Sequence, residues 1–189
     1  MSEGFIPTHG GYRKLLSYQR AEWGYDATVR FCQRWFRRGD RTIDQMVQAA
    51  RSGKQNIVEA SLASATSKES EIKLTNVARA SLEELAEDYR DFLRLRGVAE
   101  WHRDHPYARR LSELLSTPGA TYATIQKAVE HPDPAIVANA ILGLIKVTCY
   151  LLDRQIRRLE RDFLAQGGIR ERMTRARLQR RSRDARQSR

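Results

Sequence analysis

Cysteine, proline and glycine are all scarce in this 189-residue chain, and each scarcity removes a class of protein. The two cysteines, Cys32 and Cys149, stand far apart inside apolar patterns. A disulfide-stapled secreted domain needs more of them in a shorter chain, and a metal site needs them clustered with histidine. They read as two small buried hydrophobes in a reducing cytoplasm. Five prolines and 11 glycines exclude collagen-like and low-complexity sequence. Aromatic residues are only 8% and β-branched residues are sparse, so little favours strands. No uninterrupted run of 18 apolar residues occurs, and residues 1–11 are polar rather than the apolar core of a signal peptide. The expectation is a soluble, cytoplasmic protein that neither uses a membrane nor carries a cofactor or metal.

Helix formers fill the space that these absences leave. Alanine, leucine, arginine, glutamate and glutamine are plentiful, and 41% hydrophobic residues suffice to bury a core. Charge is the other surplus, at +11 overall. Nine arginines and no lysine lie in residues 167–189 against Glu171 and Asp184, which puts +7 of that total in the last segment. The planar guanidinium is the better fork for phosphate, so this segment is suited to counterion-releasing contacts with RNA or DNA. A solvated charge run or an acidic protein partner fits the same composition.

Apolar periodicity divides the rest of the chain. The spacing predicts helices over 12–36, 43–62 and 68–96, with Asp40 or Thr42 and then Ser67 as N-caps. Residues 98–133 are punctuated by His105-Pro106, Thr117-Pro118-Gly119 and His131-Pro132, leaving room for short helices over 107–116 and 122–130. Asp133-Pro134 is an N-cap followed by an N1 proline, opening a helix over 135–166 that Gly167-Gly168 closes. Residues 171–182 form a further charged helix when a partner neutralises them. Gly53 sits on the apolar stripe of the second helix, where a missing side chain permits close helix approach. The expected fold is all-α, an antiparallel up-down four-helix bundle over 12–166 with a helical insert at 98–133, a flexible 1–11 and an Arg-rich tail at 167–189.

Two segments go beyond periodicity. Gln45-Met46-Val47-Gln48-Ala49-Ala50-Arg51-Ser52-Gly53-Lys54-Gln55-Asn56-Ile57-Val58-Glu59-Ala60 and Ala78-Arg79-Ala80-Ser81-Leu82-Glu83-Glu84-Leu85 resemble the two motifs of a bacterial four-helix-bundle family. That family is named after proteins encoded in 23S ribosomal RNA intervening sequences. Val58 stands where its motif has alanine and Ala60 where it has glycine. The insert and the basic end look like the family's suffix-bearing subgroup. The family is similar to the accessory variability determinant of diversity-generating retroelements. The resemblance implies a homo-oligomer, a pentameric ring, that binds nucleic acid through a basic surface and partners a reverse transcriptase. Within the motifs, Asn56 and Glu59 are three apart on one helix, and Ser81 and Glu84 three apart on the next. If the two faces oppose, these four polar groups can set register between the helices.

The residues expected to meet phosphate are Arg170, Arg172, Arg175, Arg177, Arg180, Arg181, Arg183 and Arg186, with Arg37, Arg38 and Arg41 as a second patch. Such contacts position a strand and carry little sequence preference. Tyr12, Tyr18 and Tyr25, interleaved with Arg13, Lys14 and Arg20, are the candidates for base stacking. Two alternatives stay open. One is a protein-interaction scaffold whose basic tail meets an acidic partner. The other is a ribonuclease of the HEPN class, because Arg96 and His102 have that class's arginine–histidine spacing. In that arrangement Gly97 stands where the motif expects a polar residue, and the leading expectation is a protein without catalytic activity.

Overall fold

The computed structural model describes residues 11–187, apart from the side chains of 166, 172 and 182–187. After a 3-10 turn at Tyr12–Lys14 come α1 (Leu16–Trp35), α2 (Arg41–Ala63), α3 (Lys68–Arg94), α4 (Pro106–Ser116), α5 (Tyr122–Val129), α6 (Pro134–Gln166) and α7 (Ile169–Gln187). The described residues contain no strand. The chain is all-α, as its composition predicts.

Helices α2 to α6 each begin where a side chain can satisfy orphan N–H groups. Asp40 accepts from the Thr42 N–H, Ser67 from Ser70, and Asp133 from Ala135 ahead of Pro134. His105 caps α4 through the Tyr107 N–H, and Thr121 forms a capping box with Thr124. Each such cap contributes about 1 kcal/mol. The first helix starts later than its periodicity suggests, because Leu15 is extended and separates the 3-10 turn from α1. The last helix begins earlier and runs longer than 171–182.

Packing is cyclic among four of the helices. The pairs α1 with α2, α2 with α3, α3 with α6, and α6 with α1 share broad faces. The start of α1 meets the late part of α6, where Ser17 Oγ donates to Gln155 Oε1 at 3.1 Å. The end of α1 meets the end of α3, where Phe31 and Phe92 stack edge-on at 4.8 Å. Gly53 lets α2 and α3 close together: a Cβ at this position would lie 2.6 Å from Leu82 Cγ and Cδ2. Trp23 and Phe31 are buried, and Trp35 and Phe36 pack half-buried against the core. Phe36 and Tyr89 join Phe31 and Phe92 in one aromatic cluster, and the Tyr89 hydroxyl donates to Thr28 Oγ1 at 3.1 Å. The aromatic surplus of α1 is thus absorbed within the chain.

The short helices α4 and α5 lie on the first half of α6 and on each other. Leu111 of α4 presses on Gly143 of α6. Arg20, 3% exposed, donates through Nη2 to the Leu115 carbonyl at 2.8 Å and lies 3.9 Å over the Trp23 ring. It caps the electronegative C-terminal end of α4 from the interior, although burial lowers its pKa. Buried Asn139 ties down the strap between α3 and α4. It accepts the Trp101 N–H at 2.8 Å and donates to the Ala99 carbonyl at 3.3 Å. Glu100 in the same strap accepts from Arg90 and Lys146. Burial opposes its charge, but those two hydrogen bonds prevail and hold its carboxyl below the ordinary value.

One stretch beginning in α6 is long and apolar enough, by length and composition, to cross a membrane. Here its side chains serve the core, with Val137, Ile141, Leu144, Ile145 and Leu152 all buried among the other helices.

Candidate nucleic-acid interface

The second half of α6 carries Arg154, Arg157, Arg158 and Arg161, spaced i, i+3, i+4 and i+7, so one helical stripe holds all four. The Ser17–Gln155 hydrogen bond brings the segment just before and at the start of α1 beside this stripe. Together they wall a groove of about 760 Å³ lined by Lys14, Leu15, Leu16, Ser17, Tyr150 and the four arginines, with Asp153 as its acid. Asp153 pairs with Arg157 at 2.9 Å. Arg154, Arg158 and Arg161 have no carboxylate within 4.0 Å among the described residues, and all three are exposed. The groove therefore has cations in excess of what its own acid neutralises.

The chain leaves the groove through Gly167, whose φ of +71° is open to glycine at little strain. A Cβ there would also crowd Glu171, 2.9 Å away. The Glu171 carboxylate accepts the Gly168 N–H at 2.8 Å, which starts α7. Along α7, Arg170, Arg175, Arg177, Arg180 and Arg181 are exposed. The side chains of Arg172, Arg183 and Arg186 lie outside the described residues. Tail and groove are thus adjacent in sequence, joined by one turn.

Arg37, Arg38 and Arg41 are exposed at the turn between α1 and α2. That turn belongs to the far end of the molecule. Arg34, three residues before it, donates to the carbonyls of Glu130 and His131 just ahead of α6, whereas the groove follows from the other end of α6. Arg37 also lines a cavity of about 530 Å³ with Asp40, Asp88 and Asp91. Burial, with Glu84 and Asp91 nearby, raises the Asp88 carboxyl. The structure separates the two arginine patches, and the one at the turn is mixed in sign.

Of the four motif residues, Asn56 and Ser81 join one polar cluster through Ser52. The Ser52 and Ser81 hydroxyls are hydrogen-bonded at 2.9 Å, and Asn56 Nδ2 donates to the Ser52 carbonyl at 2.9 Å and to its Oγ at 3.2 Å. Ser52 is the bridge that the spacing argument missed. Glu59 and Glu84 are exposed and stand outside this cluster.

The remaining candidates are engaged elsewhere. The Arg96 guanidinium lies 3.6 Å over the Phe92 ring and donates to the Phe92 carbonyl, while His102 is exposed beside Asp104 at 3.2 Å. Tyr12 and Tyr18 pack edge-on at 4.9 Å, the Tyr18 hydroxyl donates to Glu22 at 2.8 Å, and Lys54 covers Tyr25 at 4.3 Å. No group of His, Cys, Asp and Glu suited to a metal occurs among the described residues.

Sequence reasoning missed Tyr150 and the arginine stripe of α6. Its signal was present, since arginines at four positions of one helical stripe can be read from the sequence alone. It was obscured because Asp153, Glu160 and Asp162 leave residues 150–162 with a net charge of only +1. The chain matches no family model, no curated protein and no solved structure.

Proposed function

We propose that the chain is a non-catalytic, cytoplasmic accessory protein that binds RNA or DNA electrostatically. In this reading α1, α2, α3 and α6 form an antiparallel up-down bundle, the 98–133 connection is an insert on it, and α7 is its basic suffix. The observation that carries the reading is the groove of about 760 Å³, with exposed Arg154, Arg158 and Arg161 unpaired among the described residues and leading directly into α7. A polyanion that bridges groove and helix releases the counterions of both.

A salt series tests this. With about nine phosphates neutralised, by Lys14, Arg154, Arg158 and Arg161 in the groove and the five exposed arginines of α7, log Kd against log salt has a slope near 6 for a single strand, from roughly 0.7 per phosphate. Absence of binding at low salt, or affinity indifferent to salt, overturns the reading. An acidic protein captured in its place would support the scaffold alternative.

The proposed assembly is a homo-oligomer, a pentamer by the family resemblance, docked to a reverse transcriptase. Exposed Leu62, Val77, Leu95 and Leu164, rather than the aromatics of α1, are among the apolar side chains open to such contacts. Light scattering at micromolar concentration is expected to give a multiple of 21.8 kDa. A mass equal to one chain refutes it.

A further inference from the structure

The groove's apolar residues say more than its charge does. Tyr150 is 59% exposed and Leu16 is 55% exposed, and both line a recess in which five of the ten other lining residues are cationic. A site for inorganic anions or for acidic side chains alone gains nothing from a bare ring and a bare leucine. A partner that fits both features offers phosphates and unpaired apolar faces within the same short stretch. Arg154, Arg158 and Arg161 rise along α6 at roughly one per turn, a pitch of about 5.4 Å, beside the ring. The Arg154 guanidinium lies 5.9 Å from the Tyr150 centroid, so a cation and a stacking surface are presented together. A duplex keeps its base faces inside its own stack and shows a protein only edges and backbone. An exposed ring on the floor of a cationic recess is useful to a strand whose bases are free.

We infer that this groove is a single-strand nucleic-acid site in which Tyr150 is the stacking platform, Leu16 packs on the base or sugar, and Lys14, Arg154, Arg158 and Arg161 follow the phosphates. The inference rests on the nucleic-acid reading above and adds strand state to it. Tyr12, Tyr18 and Tyr25 are engaged more closely: Tyr12 and Tyr18 pack edge-on at 4.9 Å, the Tyr18 hydroxyl donates to Glu22, and Lys54 covers Tyr25 at 4.3 Å, against 5.9 Å from Arg154 to Tyr150. Stacking is tolerant of sequence, so strands of differing base composition should bind alike.

The experiment compares a labelled 16-nucleotide single-stranded RNA, the duplex of the same sequence, and vesicles containing phosphatidylserine. Each is titrated against the full chain and its Tyr150→Ala and Tyr150→Phe variants. The full chain is expected to favour the single strand. Tyr150→Ala should weaken that binding roughly tenfold with an unchanged salt slope, and should shift duplex affinity by less than twofold. Tyr150→Phe, which keeps the ring, should restore single-strand affinity to within about twofold. Because Tyr150 is exposed, all three proteins should melt alike. Equal losses on single strand and duplex, no loss on either, or preference of the full chain for duplex overturns the inference while leaving the nucleic-acid reading intact. Binding to neither RNA at low salt, with or without binding to vesicles, overturns both.

Discussion

Ile57→Asp is expected to abolish the cooperative melting transition. Ile57 is 1% exposed on the core face of α2, one turn from Gly53, where α2 and α3 approach closely. A carboxylate there has no cation prepared for it, and close packing leaves no room for the water it needs. An unpaired buried charge destabilises by about 4–5 kcal/mol or more, against a total stability of about 5–15 kcal/mol for a domain. The substitution also removes most of the isoleucine's apolar contact, which adds to the loss. Gln55→Asp is the matched control. It introduces the same charge two residues away on the exposed face, where the change should stay within about 0.5 kcal/mol. Thermal melting followed by circular dichroism distinguishes the two. A cooperative transition for Ile57→Asp within a few degrees of the unaltered protein contradicts the packing of α2 described here.

What the sequence discloses depends on how local the cause is. Caps at Asp40, Ser67 and Asp133 are local, because an N-cap acts on an N–H two or three residues away, and each appears where its residue type predicts. Gly53 was legible for a related reason: a glycine on an apolar helical stripe has few explanations other than a close neighbour. The aromatics of α1 were harder. Trp23, Phe31, Trp35 and Phe36 exceed one narrow stripe, and only the arrival of Phe92 and Tyr89 from α3 shows that Phe31 and Phe36 are used internally. Arg20 was misjudged because its neighbours suggest a wet, basic face, whereas its partner is the Leu115 carbonyl, 95 residues away in sequence. The basic groove was least visible. It requires the start of α1 and the end of α6 to lie side by side, which composition cannot express, although the arginine periodicity of α6 can.

The same distinction governs the second large effect, on binding rather than stability. Deleting 168–189 should leave melting nearly unchanged and greatly weaken affinity for nucleic acid. Among the described residues α7 shares no broad packing face with any other helix, and its larger apolar side chains Ile169, Met173 and Leu178 form no continuous stripe. Nine arginines against Glu171 and Asp184 repel one another in isolation, so ordering the segment adds little to the stability of the rest. Its removal lowers the net charge from +11 to +4. The groove survives the cut, and Lys14, Arg154, Arg158 and Arg161 alone support a single-strand salt slope of about 3. The full chain should be steeper by about 3, from the exposed arginines of α7, and tighter by about 100-fold or more at low salt. In an oligomer the tails would act on one strand together, so the difference grows with the number of subunits. Loss of folding on truncation would make α7 part of the core and contradict the packing. Unchanged affinity with an unchanged slope would place the whole interface in the groove, where Tyr150 and the α6 arginines would then have to supply it unaided.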